Sequence, residues 1–112
     1  MRIYHNPRCS KSRQTLDLLR QNGVEPEIID YLVNVPNESE LKELVKMLGI
    51  HPEELVRKGE QEYKDLFKGR KLSGAQWITA MVQHPKLIER PIVVQNKKAV
   101  LGRPPENALK LL

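Results

Sequence analysis

Cysteine is almost missing from this chain: Cys9 is the only one among 112 residues. An internal disulfide is thereby excluded, and so is a metal cage built from several thiolates. Long apolar runs are missing too. No stretch approaches the roughly 20 residues that span a bilayer, and the amino-terminal MRIYHNPRC has no apolar signal core, so a cytoplasmic protein with no membrane partner is expected. Charge of one sign never forms a block. The 19 Lys and Arg are scattered among 14 Asp and Glu, which argues against a nucleic-acid-binding stripe, while the net charge of +5 favours the approach of a small oxyanion. Repeats, low-complexity tracts and linkers are absent as well.

What is present is an ordinary folding composition, with 39% apolar and 29% charged residues, and a length that fits one domain, 1–112, around one core. Arg2-Ile3-Tyr4 reads as a strand that Pro7 stops, and a helix begins at Ser10 with Leu16 and Leu19 on one side and Gly23 as its stop. Glu27 to Leu32 reads as a second strand. The strand, helix, strand order makes the two strands parallel. Asn37-Glu38-Ser39-Glu40 carries a capping signal ahead of Leu41, Leu44, Val45 and Leu48, and Gly49 ends that helix. Pro52 opens a short helix through Arg57, and Glu62 to Phe67 adds a turn. Ser73 and Gln76 form a capping-box pair before Trp77, Ile78, Met81 and Val82. Ile92-Val93-Val94, a turn at Asn96-Lys97 and Ala99-Val100-Leu101 read as a hairpin, and Pro104-Pro105 open a last helix to Leu112. The expected fold is therefore α/β and thioredoxin-like, a small mixed sheet from 1–34 and 88–112 with an inserted helical region at about 37–84.

This order puts Cys9 at a helix amino terminus. A free thiol with a pKa of about 8.5 is mostly protonated at neutral pH, and the anion is the nucleophile. Unpaired N–H groups and the positive end of the helix dipole favour that anion, with Arg8, Lys11 and Arg13 adding local charge, and the same amides can hold an oxyanion against the sulfur. Ser10 and Ser12 offer hydroxyl donors, and His5 is within sequence reach of the thiolate. A tetrahedral oxyanion also calls for planar, permanently charged donors, which means arginines. Spacing alone leaves open which arginines converge on Cys9.

The segment HNPRCSKSR at 5–13 resembles the glutaredoxin-linked arsenate reductase family, whose members open with a strand and an HNPxCxxSR loop. The resemblance continues through EPEIIDYL at 25–32, LVRKGEQEYKDL at 55–66, QHPKLIERPIVV at 83–94 and LGRPPE at 101–106. It implies a thioredoxin-like fold in which Cys9 attacks arsenate and three arginines, Arg57, Arg90 and Arg103, bind the oxyanion. It further implies supporting roles for His5 and Ser12, a cis Pro91 beside the cysteine, and no bound cofactor or metal. Glutathione would be the co-substrate and glutaredoxin the partner that regenerates Cys9. Two other tasks occur on the same fold: glutathione-dependent reduction of another substrate, and regulation of transcription through RNA polymerase. Asn6-Pro7 and Arg103 favour arsenate over the first, and Ser12, where a CxxC pair would have its second cysteine, favours it over the second.

Overall fold

The computed structural model describes residues 1–112, and its contacts divide into two compact units, Met1–Asn34 with Arg90–Leu112, and Val35–Glu89. In the first unit, β1 (Arg2–His5), β2 (Glu27–Asp30), β3 (Ile92–Gln95) and β4 (Lys98–Leu101) form one sheet in the order β2-β1-β3-β4. β1 pairs parallel to β2 and antiparallel to β3, and β4 pairs antiparallel to β3. The unit is thioredoxin-like.

Helix α1 (Ser10–Gln21) turns its apolar side to the sheet. Leu16 and Leu19 pack with Ile3, Val93 and Ala108 in one buried cluster, bordered by Met1, Val24, Val100 and Leu111. Burying side chains of this size stabilises the fold by about 1.5–3 kcal/mol each, so this cluster is what holds α1, and the residue at its head, in place. At the other end Gly23 adopts φ 78°, its N–H returning to Arg20 O at 3.0 Å and that of Val24 to Leu19 O at 3.0 Å. That left-handed turn is the stop glycine provides.

Some expected elements differ in extent or type. β2 ends at Asp30 instead of Leu32, because the Asp30 carboxylate accepts the Leu32 N–H at 3.1 Å and its carbonyl accepts those of Val33 and Asn34, which turns the chain. The last helix is a 3₁₀ helix, Pro105–Leu111. The hairpin forms as expected, with Asn96 at φ 57° in the turn, where Asn tolerates the left-handed region. The Arg90-Pro91 bond is cis, as the resemblance implied, and Arg103-Pro104 is cis as well.

The second unit holds α2 (Glu38–Leu48), α3 (Gln61–Leu66), α4 (Gly74–Gln83) and two 3₁₀ turns, Pro52–Leu55 and Pro85–Leu87. The segment after Pro52 stops short of Arg57 because Val56 forms a β-bridge with Ile88 and Arg57 N–H donates to Leu87 O at 2.7 Å. Asn37 caps α2 by accepting Glu40 N–H at 2.8 Å, and Ser73 and Gln76 exchange both bonds of a capping box at α4. Trp77 anchors α4, with Phe67 at 5.8 Å and Tyr63 at 6.2 Å between ring centroids. No helix is long and apolar enough to cross a membrane.

Candidate active site

The loop between β1 and α1 is tied down by Asn6. Its carbonyl accepts Cys9 N–H at 3.0 Å and its side-chain oxygen accepts Arg8 N–H at 3.0 Å. With Pro7 at the second position this is the chemistry of a tight turn reinforced by an Asx contact. The Asn6 N–H donates to Ser12 Oγ at 3.0 Å, and the same oxygen meets His5 Nδ1 at 2.6 Å. Ser12 is fully buried and His5 is 7% exposed. Burial, with Arg20 and Arg13 adding repulsion against the opposing pull of Asp30 and Asp17, holds the His5 pKa below 6.5. Ser12 therefore joins the strand end to the first turn of α1 through the His5 imidazole. The contact formed by His5 is with Ser12.

Cys9 is the N-cap of α1, with extended backbone at φ −93° and ψ 122°, and only 9% of it is exposed. Its sulfur makes no capping hydrogen bond of ordinary geometry. Burial pushes the thiol pKa up, but the N–H of Ser12, the hydrogen bond and charge of Arg90, and the N–H of Lys11 together outweigh it and hold the thiol below its ordinary value. The sequence led us to expect the local charge from Arg8, Lys11 and Arg13; the charge that lowers the thiol here is that of Arg90, and Lys11 contributes through its backbone N–H.

Arg103 completes the cluster. Its Nη2 lies 3.7 Å from Cys9 Sγ and its Nε donates to Arg90 O at 2.8 Å. One guanidinium thus steadies the neighbouring arginine's backbone while presenting charge to the sulfur. Arg90 and Arg103, two of the three expected arginines, converge on Cys9 from the turns before β3 and after β4. Arg57 belongs to the helical unit, where Glu89 Oε1 at 3.0 Å and Glu60 Oε1 at 3.3 Å hold its guanidinium. Sequence reasoning used Asn6 only as part of the HNP block, although its place before a proline marks a turn start, and passed over Thr15, which carries no local signal. A groove between α3 and α4 lined by Phe67, Arg70, Thr79 and His84 contains no cysteine.

A cysteine with a lowered thiol pKa at a helix amino terminus, with two arginines beside it, marks a candidate thiol site on a thioredoxin-like fold. The ArsC family model matches residues 4–111, and the chain belongs to that family. It is 45% identical over 112 residues to an arsenate reductase of Haemophilus influenzae, spanning 98% of this chain and 97% of that one. An arsenate reductase structure from Vibrio cholerae superposes with a TM-score of 0.95 at 50% identity, covering 99% of this chain and 96% of the other. YfgD of Escherichia coli is 52% identical over 114 residues, 100% of this chain and 96% of its own length.

Proposed function

We propose that the protein reduces arsenate to arsenite, with Cys9 as the attacking thiol and glutathione and glutaredoxin as the electron source. The observation that carries this reading is the Cys9 sulfur, activated by Arg90 and the α1 amides and faced by Arg103 at 3.7 Å. The Cys9 thiolate attacks arsenic and displaces one oxygen as water, giving a thiol-arsenate adduct. Arg90, Arg103 and the free N–H groups of α1 neutralise the remaining oxygens, and Arg57 is assigned to the same anion from the matching LVRK block.

Glutathione thiolate then attacks the Cys9 sulfur, and arsenic leaves with the bonding electron pair as arsenite. Two thiols have become one mixed disulfide, which balances the two electrons arsenic gains. Because Cys9 has no second cysteine to resolve it, glutaredoxin restores the thiol by exchange. A reducing, cytoplasmic setting supplies both donors.

The test is arsenate-dependent oxidation of NADPH in the presence of glutathione, glutaredoxin and glutathione reductase. Sustained oxidation that vanishes in Cys9→Ser and when glutaredoxin is omitted is expected. Full turnover with thioredoxin as the sole thiol source would reject the electron route, and no turnover under any donor would reject the substrate.

A further inference from the structure

At Gly102 the chain leaving β4 passes directly against α1 and the Pro91 turn. A Cβ built there would lie 2.5 Å from Thr15 Oγ1, 2.7 Å from Pro91 Cγ and 2.9 Å from Thr15 Cγ2. These distances fall roughly half to nearly one ångström short of ordinary contact at 3.4 Å. Gly102 is not among the positive-φ residues, so lack of space, and not backbone conformation, is what demands a glycine.

Thr15 is fully buried on α1. Its one hydroxyl proton is shared between Lys11 O at 2.8 Å, the usual back-bond of a helical threonine, and Gly102 O at 3.2 Å, an acceptor far along the chain. Gly102 N–H in turn donates to Pro91 O at 2.9 Å. The residues next to this pair, Arg90 before Pro91 and Arg103 after Gly102, are the two that reach the Cys9 sulfur. Helix α1 carries that sulfur at its head.

We infer that the Thr15–Gly102 contact is a positioning device for the thiol site, setting how closely the turns bearing Arg90 and Arg103 approach the sulfur at the start of α1. Thr15 and Gly102 act through the arginines and touch no reacting atom. The inference rests on Cys9 being the attacking thiol, not on arsenate being its substrate. Any side chain at position 102 drives the two turns away from α1. Arg103, already at 3.7 Å, then leaves hydrogen-bonding range, and Arg90 moves with Pro91.

The experiment is the pH dependence of Cys9 alkylation by iodoacetamide, with circular dichroism confirming the fold of each variant. Gly102→Ala is expected to raise the titration midpoint and slow alkylation at pH 7 by roughly threefold or more. Adding Thr15→Ala removes two of the three crowded contacts and is expected to recover part of the loss. Thr15→Val keeps the shape without the hydroxyl and is expected to raise the midpoint, with Thr15→Ser recovering most of that loss. A folded Gly102→Ala with the wild-type midpoint overturns the inference. If Gly102→Ala does not fold, a wild-type midpoint in Thr15→Val overturns it instead. A shifted midpoint in a protein that never reduces arsenate leaves the device standing and removes only the substrate assignment.

Discussion

Replacing Arg103 with alanine separates anion binding from thiol activation. The side chain makes two bonds, Nε to Arg90 O at 2.8 Å and Nη2 to Cys9 Sγ at 3.7 Å. The first is structural and contributes about 1 kcal/mol, so the variant is expected to melt roughly 3–6 °C lower and remain folded. The second places a guanidinium beside the sulfur, where the proposed mechanism puts a charged arsenate oxygen. A charge-assisted hydrogen bond contributes about 1.5–3 kcal/mol, so kcat/KM is expected to fall roughly ten- to a hundredfold. Arg90 and the α1 amides are what hold the thiol pKa down, so the loss should appear mainly as a higher KM for arsenate. Arg103→Lys restores charge but cannot donate to both partners in one planar fork, and only partial recovery is expected. Arg20→Ala is the control, since Arg20 pairs at 2.8 Å with Glu25 on an exposed surface. Initial rates in the coupled NADPH assay at low arsenate read all of these. A folded Arg103→Ala with wild-type kcat/KM would refute the reasoning.

Two further perturbations follow from the same geometry. Arg57→Ala is expected to raise KM for arsenate while leaving Cys9 alkylation at its wild-type rate; unchanged KM would remove Arg57 from the anion site. His5 has a folded pKa below 6.5, so under acid conditions the unfolded chain takes up a proton that the folded chain refuses, and stability falls as pH drops through 6.5 toward the folded value. Urea midpoints compared at pH 7.5 and pH 5.5 should therefore fall more in the wild type than in His5→Gln, and equal falls would show that His5 is not the group being titrated.

Much of the fold is written locally. The capping residues Asn37 and Ser73, the stop at Gly23 and the apolar runs of β3 and β4 on either side of the Asn96 turn each act within a few residues, so their elements appear where the sequence puts them. Short proline-led segments resist such reading: after Pro52 and Pro105 the chain takes 3₁₀ geometry, and Pro85–Leu87 adds a turn with no periodicity to announce it. The site divides in the same way. Cys9 at a helix head follows from Pro7 and the helical run after it. Its cations come from the turns before β3 and after β4, more than eighty residues away, and only matching sequence blocks singled out Arg90 and Arg103 beforehand. Thr15 and Gly102 are ordinary residues in sequence, and their contact exists only once α1 has packed on the sheet.

The most direct test of Cys9 as the arsenate-reducing thiol is a single turnover without glutaredoxin, followed by intact-protein mass spectrometry and arsenite quantification. With arsenate and glutathione the wild type is expected to form arsenite and a glutathione adduct in equal amounts, with the adduct mapped to Cys9, while Cys9→Ser forms neither. Arsenite released without the adduct, or produced equally by Cys9→Ser, would contradict the account.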